Sequence, residues 1–176
     1  LLVSYALNEE KRAAEADLRI AATAFDAQVS ILVTDPAGVI MRVNHALTEL
    51  TGYAPNEITG QTTRLFRSDR HDADFYRALW ETIQNTGKWQ GEIWNRHKNG
   101  AAIPAWLTIS AVRNDEGVVT HYVGTYFDIT ERKQREDEIR KLLTENETIL
   151  SNALVGIVYL KQRHVVTCNR RFEEIF

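Results

Sequence analysis

The sequence predicts an α+β fold, one five-stranded antiparallel sheet with short helices on one face, and three observations carry that prediction. Two apolar/polar alternating runs flank a Lys98-Asn99-Gly100 turn, and a third run follows a polar 113–117 loop, which reads as a three-stranded meander. An earlier β-branched pair of runs is broken by Pro36-Ala37-Gly38, a second hairpin. Between the two lie several short helical segments and one longer helix. Strands from the two ends of one stretch of chain most simply close into a single sheet.

Residues 1–27 are rich in Ala, Glu, Lys and Arg and hold no Gly or Pro, which favours helix. Leu7, Lys11, Ala14, Leu18, Ala21 and Phe25 alternate spacings of four and three, the seam of a coiled coil. Small Ala residues and a Lys weaken that seam. The helix then gains stability by docking on a sheet or a partner subunit; packing on its own domain alone is the competing reading. Leu1 to Leu7 reads as a plain coiled-coil start, although it also suits the tail of an upstream membrane anchor.

The segment from 28 to 128 carries the predicted domain. Val29 to Asp35 and Val39 to Asn44 are the first two strands. Asn44 caps a short helix marked by Ala46, Leu47 and Leu50 and ended by Gly52; Pro55 and Glu57 start a further turn closed by Gly60. Residues 61–74 are polar, with Arg64, Arg67, Arg70 and His71 clustered. Phe75, Leu79, Trp80 and Ile83 then share one helical face, and Asn85-Thr86-Gly87 stops that helix.

In the meander, side chains alternate faces with a period of two. Gly91, Ile93, Asn95, Ala105, Leu107, Ile109 and Ala111 make the inward set. Glu92, Trp94, Arg96, Trp106, Thr108 and Ser110 face outward, and two Trp residues there call for a cover, either a helix or a second subunit. Asn95 is a polar amide on the apolar side; it either satisfies a buried backbone group or contacts a ligand.

Asp128-Ile129-Thr130-Glu131 has the spacing of a capping box and opens a helix over 129–148, with Ile139, Leu142, Asn146 and Ile149 along one stripe. An Asn on such a stripe fixes register and favours a parallel dimer. From 149 to 176 the earlier pattern recurs, with Asn169 on Asn44, Phe172 on Leu47 and Ile175 on Leu50. A second domain is expected to begin there.

Composition narrows the function. With 44% hydrophobic and 26% charged residues among 176, the chain has enough apolar material for one core of about 100 residues plus appendages. A net charge of -3 with spread basic residues gives no footprint for nucleic acid. The single cysteine, Cys168, excludes a disulfide framework and points to a reducing, cytoplasmic compartment, or the cytoplasmic part of an anchored protein. No nucleophile elbow, phosphate loop or paired metal-ligand motif is present, so catalysis is not expected. Asp69, His71, Asp72 and Asp74 read as a solvated loop and helix start rather than a metal cluster.

Thr34-Asp35-Pro36-Ala37-Gly38, Val43-Asn44, Thr51-Gly52-Tyr53, Gly60, Trp89-Gln90-Gly91, Asn95 to Gly100 and Gly124 to Arg132 together resemble a bacterial PAS domain with its C-terminal PAC segment. The resemblance implies a sensor module that dimerises through flanking helices and the outer sheet face. It also implies a signal passed down the helix after Asp128-Ile129-Thr130 to an output domain in the same polypeptide, a diguanylate cyclase, phosphodiesterase or histidine kinase. Trp89, Asn95 and Arg70-His71 further resemble flavin-binding PAS domains, where the Asn of this segment hydrogen-bonds the isoalloxazine edge; FAD or another flavin is the leading cofactor implied. Light-driven adduct chemistry is not, because Thr63 stands where that subfamily has its Cys, and His71 is not expected to ligate haem. Two readings follow. In one, Asn95, Trp89, Ile93, Leu107, Ile109 and Tyr126 line a ligand cavity; in the other, the domain is a ligand-free dimerisation and relay module working through Trp94, Trp106 and the flanking helices.

Overall fold

The computed structural model describes Phe25 and residues 29–153, 155–162 and 164–175. The helix expected over 1–27 lies outside the described residues except for Phe25, which is helical. Two compact units result, Leu1–Thr130 and Glu131–Phe176.

In the first unit, β1 (Ser30–Thr34) and β2 (Ile40–Val43) form the first hairpin, and β3 (Lys88–Arg96), β4 (Ala102–Arg113) and β5 (Val119–Asp128) form the meander. The sheet is antiparallel throughout in the order β2-β1-β5-β4-β3, so the two ends of the unit meet at the β1–β5 pair. Cross-strand pairs such as Gly91 with Leu107 and Leu107 with Tyr126 put the inward residues in one row. Between β2 and β3 run α1 (His45–Thr51), α2 (Pro55–Ile58), a 3-10 turn at Thr63–Phe66 and α3 (Ala73–Thr86). Leu32, Ile40, Leu47, Ile58, Phe66 and Ile93 are among the residues that join these helices to the sheet as one core.

Local chemistry sets the element ends. Asn44 caps α1 through Leu47 N–H, and Asp72 caps α3 through Phe75 N–H at 2.8 Å. Gly52 closes α1 at φ 75°, and a Cβ there would meet the His97 ring at 2.4 Å. Both left-handed backbone and a missing side chain are therefore needed at this position. His97 packs beside Gly52 and is half-buried. The Lys98-Asn99-Gly100 turn comes next in the chain. Gly100 takes φ 90°, while Asn99 keeps a negative φ and accepts Ala101 N–H with its side chain at 2.9 Å.

Asn44 is the hub of the first unit. Its Oδ1 accepts Ile31 N–H at 2.8 Å and Leu47 N–H at 3.1 Å, and its Nδ2 donates to Phe25 O at 2.8 Å and Val29 O at 2.7 Å. One amide thus ties the chain before β1, β1 itself and the start of α1.

The second unit holds the long helix α4 (Thr130–Asn152), the hairpin β6 (Val158–Lys161) with β7 (His164–Cys168), and α5 (Arg170–Ile175). The helix start is not a reciprocal capping box: Asp128 accepts the N–H of Thr130 at 2.7 Å, and Glu131 pairs with Arg135 at 2.8 Å. The helix also runs four residues past 148. Thr148 and Ser151 hydroxyls donate to carbonyls four residues earlier, at 2.7 and 2.6 Å, so the helix itself satisfies these polar side chains. Among the described residues no helix is long and apolar enough to cross a membrane.

Candidate functional site

A cavity of about 70 Å³ lies between the inner face of the sheet and the helices of the first unit. Its sheet wall is made of Leu32, Ile93, Asn95, Leu107, Ile109 and Tyr126; its helical wall includes Phe66, Arg67, Tyr76 and Leu79. Five of the six residues expected to line a ligand site are thus brought together. Trp89 is not among them. Although its parity is inward, it sits at the start of β3, edge-on to Phe75 at 6.0 Å and beside Gly91.

The walls are apolar with a few polar groups set into them. Asn95 is only 5% exposed, and its carboxamide has no hydrogen-bond partner among the described residues. Its backbone, by contrast, forms an isolated bridge to Arg67. The Tyr76 hydroxyl is buried without a partner. Burial pushes the Tyr126 phenol well above its ordinary range, with the neighbouring Tyr76 adding to it. Burial raises Tyr76 as well, against the opposing pull of Arg67, whose guanidinium lies 4.1 Å over its ring. Both phenols are therefore neutral donors and acceptors at any physiological pH.

Unpartnered buried polar groups are costly, roughly 1–3 kcal/mol each. The Tyr76 hydroxyl is such a group, and with Asn95 on the same cavity it marks a place for something that hydrogen-bonds. The amide and phenols match a flavin edge chemically. The space does not: a cavity of about 150 Å³ is what benzene requires, whereas one of about 70 Å³ suits some two waters at roughly 30 Å³ each. A three-ring isoalloxazine is not accommodated in this shape. Thr63, in place of an adduct-forming Cys, also lines the cavity.

Sequence reasoning missed Tyr76, Arg67 and Phe66. Tyr76, Leu79 and Ile83 follow spacings of three and four, so a wider helical face would have found Tyr76. Phe66 follows Leu65 in an otherwise polar run, and an isolated apolar pair leaves no periodic signal. In that run Asp72 caps α3, Asp74 pairs with Arg77, and His71 stacks on Phe75 at 3.9 Å.

The PAS domain family matches residues 28–131. The chain is 28% identical over 148 residues to the nitrogen fixation regulatory protein of Klebsiella oxytoca, covering 84% of this chain and 30% of that one. It is 28% identical over 152 residues to blue-light-activated histidine kinase 1 of Erythrobacter litoralis, covering 78% and 42%. The chain thus spans less than half the length of these relatives. Among solved structures, an RNA-binding light-oxygen-voltage receptor is similar at 33% identity and TM-score 0.63, over 71% of this chain and 36% of that one. The PAS domain of a Colwellia psychrerythraea protein is similar at 27% identity and TM-score 0.61, over 65% and 98%.

Proposed function

Because the chain belongs to the PAS domain family and is a sensory signal-transduction module, we propose that its first unit senses a small hydrogen-bonding molecule. This ligand sits in the cavity, held by Asn95 and Tyr76, and its occupancy is relayed through α4 to an output domain of the same polypeptide. The observation that carries the reading is the buried Tyr76 hydroxyl without a partner, on the cavity that Asn95 also lines. Ile93, Leu107, Ile109 and Tyr126 supply the apolar wall. The module itself is regulatory, and any catalysis resides in the output. We place it in the cytoplasm, in line with a single cysteine.

The relay suits the fold. Leu107 and Tyr126 are cross-strand partners on the cavity wall, and β5 runs directly into the Asp128–Thr130 turn that opens α4. A shift in the wall therefore has a short covalent path to the helix. Along α4, Ile139, Leu142 and Ile149 are each more than half exposed, a stripe fit to pair with a second copy. Residues 149–176 we read as the opening of a second PAS domain, on the match between Asn169 and Asn44.

A second reading, a ligand-free dimerisation and relay module, is favoured by the cavity's small size, since two ordered waters satisfy the same polar groups. Its working surface is the outer face, where Trp106 stands opposite the half-exposed Phe127, together with the α4 stripe. Mass spectrometry of molecules released from freshly purified protein, beside its visible absorption spectrum, separates the two. A released small molecule lost in Tyr76→Phe and Asn95→Ala supports the sensor. No released molecule and unchanged signalling in both variants sinks it, and flavin absorption bands would overturn the size argument.

A further inference from the structure

Strand β3 is an edge of the sheet, so its outer backbone groups are unpaired unless another segment covers them. Residues 67–71 cover them, and the contact concentrates on Trp94. The Ser68 hydroxyl donates to Trp94 O at 2.7 Å, and Trp94 N–H donates to His71 Nε2 at 2.9 Å. The Arg70 guanidinium lies 3.9 Å from the centre of the Trp94 indole. Both backbone groups of one edge residue are thus held by side chains of one loop.

The histidine bond has a definite protonation state. A nitrogen that accepts carries no proton, so neutral His71 holds its proton on Nδ1; imidazolium donates from both nitrogens and accepts from neither. One added proton therefore turns the bond to Trp94 into two donors facing each other. The same stretch of chain supplies Phe66 and Arg67 to the cavity wall, and Arg67 bridges Asn95.

We propose that residues 66–71 form a proton-released latch over the cavity: neutral His71 holds the loop shut on β3, and protonation frees it, withdrawing Phe66 and Arg67 and opening the cavity. The consequence for a ligand rests on the sensor reading above; the latch itself does not. With the latch shut the cavity admits only a very small molecule, and larger ligands enter when it opens. Charged groups on the packed elements surround the imidazole. On its own segment these are Arg67, Asp69, Arg70 and Asp72; on α3, Asp74 and Arg77; on β3, Glu92 and Arg96. Burial disfavours the imidazolium and Asp72 favours it, and burial prevails, holding His71 below the ordinary 6.5.

The test is nitrogen-detected NMR of the His71 ring on the full ligand-free chain, with amide hydrogen exchange corrected for its intrinsic pH dependence. The latch predicts an unprotonated Nε2 at neutral pH. As His71 titrates, protection of the Trp94 amide falls by about tenfold, the size of one lost hydrogen bond, and the Phe66 ring signals shift with the same midpoint, while Leu107 stays protected. His71→Gln, which offers a non-titrating acceptor, keeps the Trp94 amide protected and the Phe66 signals constant across the range. A protonated Nε2 at neutral pH, constant Trp94 protection through the titration, or a Trp94 loss that Phe66 does not share would each overturn the proposal. Because no ligand is added, a failed latch and a failed ligand site are told apart.

Discussion

Asn44 and Asn169 make the same four kinds of hydrogen bond in two very different settings. Asn169 Oδ1 accepts Ile157 N–H at 2.8 Å and Phe172 N–H at 3.0 Å, and its Nδ2 donates to Leu150 O and Val155 O, both at 3.0 Å. Phe25 and Leu150 both stand 19 residues before their Asn, and Leu47 and Phe172 both stand 3 after it. Around Asn44 the strands and helices carry buried Leu32, Ile40, Leu47 and Ile58; around Asn169, Val155, Tyr159, Leu160, Val165, Val166 and Ile175 are all more than half exposed. The difference teaches that the hub is a local product of helix end, hairpin and cap. The core is not, because it needs the meander that in the first unit arrives about 40 residues later.

Core truncation breaks the comparison most sharply. Leu107→Ala, at a side chain 2% exposed, is expected to lower the stability of the first unit by about 2–5 kcal/mol. Val165→Ala in β7 changes its own unit's stability by less than about 0.5 kcal/mol. Denaturant unfolding read through amide exchange in each unit checks both. Next come the hubs: Asn44→Ala leaves buried backbone groups on three segments unpaired and costs about 2–4 kcal/mol, Asn169→Ala about 1 kcal/mol or less because solvent reaches its partners. Equal losses would mean that the second hub is as enclosed as the first.

Gly52→Ala is expected to cost about 2 kcal/mol, from left-handed backbone strain and displacement of His97; a thermal melt measures it, and a neutral result would show that the ring moves aside freely. The smallest effect is on pH. His71 binds a proton less readily folded than unfolded, so its contribution is complete above the ordinary 6.5 and is lost as pH falls from there through the lowered folded value. Wild type should lose stability across that window by an amount that His71→Gln does not.

Much of this was legible in the sequence for a physical reason. Period-two alternation assigned Ile93, Asn95, Leu107 and Ile109 to one face, and cap chemistry marked Asn44, Gly52 and Gly87. What stayed hidden depended on distant partners. Nothing near His71 announces that it accepts from Trp94, 23 residues away, because that role exists only where an edge strand needs covering. Trp89 misled through correct parity at a strand end, where alternation no longer decides which residue reaches the cavity. The end of α4 was misjudged because Thr148 and Ser151, residues that favour caps and turns, sit inside the helix with their hydroxyls bonded to its own carbonyls.

The most direct test of a hydrogen-bonding ligand in the cavity is the stability of Asn95→Leu against wild type, both as purified from the expressing cell. With a ligand on Asn95, the substitution removes a partner from it and lowers the melting temperature. A cavity that holds only water gives the opposite sign: leucine fills the space, releases that water, removes an amide with no protein partner and raises the melting temperature, which would contradict the sensor reading and leave the relay module standing.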